Sequence, residues 1–273
     1  MTSDEMPSDP KPNPLAAELA AAKAAASAAA AILLEGWGTR PAARFKANIT
    51  DPVTEYDGRA EAAIVARLSS AFPDDAIVAE EGSNRGGTSG RAWHVDPLDG
   101  TLNFTHGLPF FSVSVGLCDG DRPVMGVVMA PALGWTFLGV VGAGATFNER
   151  PAETSQATSL DRALLATGFV PVTGKTDPNI PEFAAFLRAS QGVRRVGSAA
   201  LDLSMVGCGW FDGYWERDIK SWDLVGGAAI VLAAGGSVCD PGGGPFVPSS
   251  GNILASNGRL QAPMLDLLSR VRS

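Results

Sequence analysis

The chain has 273 residues, 45% of them hydrophobic and 18% charged, which supports one large or two small domains with a sizeable core and excludes disorder as the main state. With 21 basic and 29 acidic residues the formal net charge is -8, which argues against a protein that chiefly grips nucleic acid or an anionic membrane. The three cysteines, Cys118, Cys208 and Cys239, are far apart and form no CxxC pair, and the only histidines are His94 and His106. A disulfide framework and a usual zinc site are therefore not supported, and the reducing cytoplasm is the expected compartment.

Residues 1–13 are polar and rich in proline, aspartate and serine, and lack the basic start and apolar run of a signal peptide; a disordered tail is expected there. Leu15–Leu34 is mostly alanine, interrupted by Glu18 and Lys23, so a helix packed closely on the body is expected rather than a membrane span. Pro41–Thr54 reads as a polar extended segment, and Gly58–Phe72 as an amphipathic helix ended by Pro73. Ala76–Ala79 is a short apolar strand leading into Glu80 and Glu81, Ser83–Gly90 a surface loop, and Trp93–Val95 a strand running into Asp96. Phe111–Leu117, Val124–Met129 and Thr136–Val141 predict an antiparallel meander. Further on, strands are expected at Ala163–Thr167, Arg195–Val196, Phe211–Trp215 and Ile253–Ala255. Helices are expected at Glu182–Ala189, Ala199–Gly207, Leu224–Ala234 and Met264–Val271. The chain is thus mixed α and β, a single domain over 14–273 made of two closely packed halves, about 14–150 and 151–273.

Some motifs fail on inspection. Gly174-Lys175-Thr176 would end a phosphate-binding loop only with a glycine at 169, which is Phe169. Three acidic clusters carry more weight, because each follows an apolar strand or opens an apolar helix: Glu80-Glu81, Asp96-Pro97-Leu98-Asp99-Gly100-Thr101, and Trp222-Asp223. Taken singly, they read as a solvated pair, a turn and a helix N-cap. Together they place several carboxylates at one edge, where burial without cations would cost several kcal/mol per charge. Magnesium, which takes hard oxygen ligands, relieves that cost. Asp96 and Asp99, three apart across a turn made by Pro97, can touch neighbouring ions, and the Leu98 carbonyl can face inward. A helix beginning at Gly100-Thr101 would offer free N–H groups to a phosphate.

These residues, with Asn103-Phe104, resemble the inositol monophosphatase family of magnesium-dependent, lithium-sensitive phosphatases. The likeness extends to Lys46, Asp51, Thr54 and Asp57 upstream, and to Val196-Gly197-Ser198-Ala199-Ala200 and Glu216 downstream. It implies a layered α/β/α/β/α sandwich and hydrolysis of a phosphomonoester by direct in-line attack of a metal-activated water. It further implies a first magnesium among Glu80, Asp96, the Leu98 carbonyl and Thr101, a second among Asp96, Asp99 and Asp223, and a weaker third near Glu80. Thr101 paired with Asp57 would orient and deprotonate the water, with Lys46 and Glu81 supporting. Gly100, Thr101, Ser198, Ala199, Glu216 and Asp223 would contact the substrate. Asn103-Phe104 and Glu216 favour inositol monophosphate or a similar polyol or sugar phosphate. The alternatives are histidinol phosphate, fructose 1,6-bisphosphate, or an added protein-binding regulatory role. A homodimer is expected by the same resemblance, with neither membrane nor nucleic acid as partner.

Overall fold

In the computed structural model, residues 13–45, 52–170, 177 and 179–272 are described. All of the tail expected over 1–13 except Asn13 lies outside them, as do Lys46, Asp51 and Gly174-Lys175-Thr176. The chain forms five layers, a helix pair, a sheet, a helix pair, a second sheet and a last helix pair, which is the expected αβαβα sandwich.

The first layer is α1 (Ala16–Gly36) and α2 (Glu55–Ala71). Alanines in α1 let the two helices approach closely, and Ala22, Ala25, Ala26, Ala29 and Leu33 are fully buried. This helix is long and apolar enough to cross a membrane by length and composition, but its buried face belongs to the same core as α2 and the first sheet. Two short strands, β1 (Arg44–Phe45) and β2 (Pro52–Val53), pair before α2.

The first sheet has seven strands in sequence order: β3 (Ala76–Ala79), β4 (Arg91–Asp99), β5 (Ser112–Asp119), β6 (Arg122–Ala130), β7 (Trp135–Val140), β8 (Gly144–Phe147) and β9 (Arg150–Ala152). The meander was legible; its last two strands were not, being only four and three residues long, one opening on Gly144 and the other holding Pro151. Side chains alternate between layers, so that Val127 packs toward α1 and α2 while Val128 packs toward the central helices. A short helix, α3 (Thr101–Thr105), follows β4.

The central layer is α5 (Ala199–Gly207) and α6 (Ser221–Ala233). Beneath α6 a row of register partners crosses the first sheet: Val78 with His94, His94 with Gly116, Gly116 with Gly126, Gly126 with Gly139. A Cβ on Gly126 would lie 2.0 Å from the Gly226 carbonyl oxygen. The glycines therefore form a furrow in which the helix backbone rests directly on the sheet. The second sheet, ordered β11 (Gly192–Arg194), β10 (Leu164–Thr167), β12 (Gly213–Glu216), β14 (Ile253–Ser256), β13 (Ser237–Cys239), covers the other side. It is closed by α4 (Asn179–Ala189) and α7 (Gln261–Arg272).

Two expectations need correction, and so does the reading of Asp223 taken singly. The strand expected at Trp93–Val95 runs on through Pro97 to Asp99, with a bulge between Asp96 and Asp99 rather than a turn; proline is tolerated because the bulge already interrupts the ladder. The strand expected at Arg195–Val196 lies at Gly192–Arg194, where Leu164, Leu165 and Ala166 supply partners. Asp223 is not an N-cap: Lys220 holds that position, and the Asp223 carboxylate accepts its backbone N–H at 2.8 Å.

Candidate active site

The carboxylates converge because their elements end at one edge. The bulge in β4 turns Asp96 and Asp99 inward, and Asp96 Oδ1 accepts the Leu98 N–H at 2.9 Å. Asp223, on the first turn of α6, meets them from above. One carboxylate oxygen from each of the three lies within 4.8 Å of the others. Asp96 is 1% and Asp99 9% exposed. Among the described residues no lysine or arginine forms an ion pair with any of them.

Burial and mutual repulsion decide the electrostatics. Asp96 is raised well above the usual carboxylate range by burial, then by Glu80, Asp99 and Asp223. Asp223 is raised in the same way by burial, Asp99 and Glu80. Asp99 is pushed up by burial only to about 6, because the Ser198 hydroxyl and the Ala200 N–H donate to it at 2.6 and 2.7 Å. Clustered oxygen donors, with no cation paired to them among the described residues, are the donor chemistry that suits a hard divalent ion, so the site fits magnesium. Glu80, at the end of β3, contributes to the field at both Asp96 and Asp223.

The loop bearing Glu80 and Glu81 is fastened by Glu61 of α2, a residue the sequence analysis did not single out. The buried Glu61 carboxylate accepts the N–H groups of Glu81 at 2.6 Å and Ser83 at 2.9 Å. In sequence Glu61 is one acid on an amphipathic helix; only the fold shows that it faces inward.

Thr101 opens α3. Its hydroxyl lies 2.9 Å from the Leu98 carbonyl and 3.3 Å from Asp57 Oδ1. Gly100 precedes it at φ 89°, where a Cβ would also crowd the Phe110 carbonyl at 2.9 Å. Asp57 is buried at the start of α2. Its other oxygen accepts the Thr54 N–H at 2.8 Å and the Thr54 hydroxyl at 2.6 Å. Those donors lower its pKa, but burial outweighs them and raises it to about 6.

A cleft of about 410 Å³ leads from this edge along α5 and is lined by Glu80, Asp99, Thr101, Ser198, Glu216 and Asp223, among others. Gly100 and Ala199 also border it. Ser198 is the N-cap of α5 and accepts the Leu201 N–H at 3.3 Å. Asn103 donates from Nδ2 to the Val196 carbonyl at 2.9 Å, which ties the segment before Ser198 to α3. Glu216 ends β12, is 6% exposed, and accepts the Tyr214 hydroxyl. Burial raises it to about 7. A Cβ at Gly168 would lie 2.2 Å from the Glu216 carboxylate oxygens, so the glycine makes room for it. The neighbouring Arg217 pairs bidentately with Glu182 rather than with Glu216. A second cavity of about 800 Å³ lies beyond the far end of α6, lined by Ala233, Thr154 and Arg259 among others, away from this chemistry.

The model of the family described as the inositol monophosphatase family matches residues 15–272. An inositol-1-monophosphatase of Synechocystis sp. is 44% identical over 235 residues, 85% of this chain and 82% of its own. A Nus factor SuhB of Haemophilus influenzae is 40% identical, over 80% of this chain and 82% of its own. The solved inositol monophosphatase of Anabaena (Nostoc) sp. PCC 7120 superposes with a TM-score of 0.85 at 39% identity, covering 94% of this chain and 96% of that one.

Proposed function

Because this chain belongs to the inositol monophosphatase family and is a phosphatase of that type, we propose that its cleft hydrolyses the monophosphate of inositol or a similar polyol, with magnesium held by the acidic cluster. The observation that carries this reading is the convergence of Asp96, Asp99 and Asp223 beside Thr101 and Asp57, in a cleft that reaches Glu216. Glu80, Asp96, the Leu98 carbonyl and Thr101 would hold one ion, and Asp96, Asp99 and Asp223 a second. Magnesium bound there would supply Lewis acidity and a lowered water pKa.

The chain's own groups do the rest. The Thr101 hydroxyl has one proton and two acceptors in reach. Donating to Asp57 Oδ1, it turns a lone pair toward the cleft and orients a water there. Asp57, with a pKa of about 6, is mainly ionised at neutral pH and takes the proton relayed through Thr101. Gly100 and Thr101 border the cleft at the start of α3, where their N–H groups would receive the phosphate. Glu216 and the backbone at Ser198 and Ala199 border the other end, where Glu216 accepts a hydrogen bond from a substrate hydroxyl.

A panel of inositol 1-phosphate, histidinol phosphate, fructose 1,6-bisphosphate and an aryl phosphate tests the substrate class. The highest kcat/KM is expected for the inositol ester. Glu216→Gln is expected to reduce that value about 10- to 150-fold, the kinetic equivalent of the about 1.5–3 kcal/mol of one charged hydrogen bond, and to spare the aryl ester, which has no ring hydroxyls. Equal losses on both would remove Glu216 as the polyol reader, and preference for another substrate would move the assignment within the family.

A regulatory reading rests on the 40% identity to a relative named Nus factor SuhB. A pull-down with Asp96→Asn protein tests it, because a partner bound by this protein would establish a role independent of turnover. We also propose a homodimer in the cytoplasm. Leu102, Leu108 and Phe110, exposed on α3 and in the segment just after it, favour self-association, and size-exclusion light scattering reads the oligomeric state.

A further inference from the structure

One polar pair next to the cluster is used neither by the fold's ladders nor by the chemistry above. His94 Nδ1 and the Ser221 hydroxyl lie 2.9 Å apart. His94 sits in the furrow row, the position where glycine gives way to a side chain: its register partner on β5 is Gly116, followed by Gly126 and Gly139. A Cβ at Gly116 would lie 2.6 Å from the Gly226 nitrogen, and one at Gly139 2.7 Å from the Ile230 Cα. The helix thus lies along the row and ends against His94. Its own small residues repeat the pattern: Gly226 faces the sheet, and a Cβ on Gly227 would meet Leu203 of α5 at 2.5 Å. Glycine against glycine allows close approach but offers few interlocking side chains to fix the helix along its axis. Two further polar ties lie at this end: Ser114 Oγ to the Trp222 carbonyl, longer at 3.4 Å, and the hydrogen bond between the Asp223 and Asp96 carboxyl groups, which is lost when both are ionised.

Two contacts join the same two elements: His94 and Asp96 share a face of β4, and they meet Ser221 and Asp223 on the first turn of α6. On a helix residues two apart do not share a face, so the 2.9 Å bond holds that turn from a side other than the one that carries Asp223. We propose that His94 and Ser221 are positioning residues whose hydrogen bond fixes α6 along the glycine furrow and so sets the separation of Asp96 from Asp223. The inference deepens the magnesium reading and rests on it. A change of a few tenths of an ångström between two ligands matters for an ion that demands near-ideal octahedral geometry.

The test uses the full chain, stripped with chelator, as parent, Ser221→Ala, Ser221→Thr, His94→Val and the double variant. Magnesium affinity is read by titration calorimetry, and amide hydrogen exchange at residues 222–225 is read without metal. Ser221→Ala and His94→Val are each expected to weaken magnesium binding on the order of tenfold. The double variant is expected to bind no more weakly than either single one, because both remove the same bond. Ser221→Thr restores the hydroxyl and is expected to restore affinity. Exchange in the first turn of α6 is expected to quicken in Ser221→Ala. Parental affinity in Ser221→Ala, or losses that multiply in the double variant, would overturn the proposal. If His94→Val does not fold, Ser221→Ala with its threonine rescue decides alone. A parent that binds no magnesium, with faster exchange in Ser221→Ala, would remove the metal reading and leave the helix-fixing role; unchanged exchange as well would remove both.

Discussion

Thr101 has a single hydroxyl proton and two acceptors, the Leu98 carbonyl at 2.9 Å and Asp57 Oδ1 at 3.3 Å. In the proposed mechanism turnover uses the longer bond, so removing the hydroxyl separates orientation of the water from assembly of the carboxylates. Thr101→Ala is expected to lower kcat by about 10²–10⁴-fold, the usual worth of positioned acid–base catalysis, while calorimetry still reads magnesium binding at the site of Asp96, Asp99 and Asp223, to which Thr101 contributes no ligand. Asp96→Asn removes charge from the centre of the cluster and is expected to abolish both turnover and magnesium binding. Because Asp96 is held well above the ordinary carboxylate range by burial and neighbouring acids, neutralising it relieves repulsion, and the metal-free variant is expected to melt no lower than the parent. At this scale the carboxylates were legible because strand-end acids have few structural uses. Glu61 was not, since its two backbone partners, Glu81 and Ser83, lie some twenty residues away in the chain and are brought near only by packing.

The elements differ in how much of their form is local. The boundaries of α5 match the expectation from Ala199 to Gly207 because Ser198 caps it and the apolar run stops there. The course of β4 through Pro97 was not legible, because a proline in sequence signals a turn and only pairing of Asp99 with Ser112 carries the strand past it. The furrow was equally hidden: Gly116, Gly126 and Gly139 are unremarkable one by one and align only in register. A methyl at Gly126 would lie 2.0 Å from the Gly226 carbonyl oxygen. Since overpacking typically costs about 1–3 kcal/mol, Gly126→Ala is expected to lower the midpoint of urea unfolding by at least that equivalent, with a parallel loss of magnesium affinity as α6 is lifted from the sheet. Glu61→Gln keeps the shape but weakens two charge-assisted bonds, and faster amide exchange at Glu81 and Ser83 would register it.

For the whole molecule, the acids of the cleft oppose folding until they are protonated or bound. Asp57 and Asp99 titrate at about 6 and Glu216 at about 7 in the folded chain, above the values near 4 of the unfolded chain. Groups raised in this way hold their protons more tightly when folded. Their contribution to stability is complete below about pH 4 and is lost as pH rises through 6 to 7. The metal-free protein is therefore expected to melt lower at about pH 8 than at about pH 5.5, apart from what its other groups add. Magnesium is expected to raise Tm more at the higher pH, since its ligands must be deprotonated to bind. Differential scanning fluorimetry with chelator and with magnesium at both pH values reads this; a magnesium-induced shift independent of pH would contradict it. The layered fold followed from family resemblance, whereas alternation and turn signals by themselves gave only mixed α and β with a meander.

The joining of acid cluster and cleft into a magnesium-dependent phosphatase is tested most directly by phosphate release from inositol 1-phosphate, with protein stripped by a strong chelator and then supplied with magnesium. Release is expected to cease in chelator and to return with added magnesium in the parent, but not in Asp96→Asn. Undiminished release in chelator, or full activity of Asp96→Asn, would contradict the assignment.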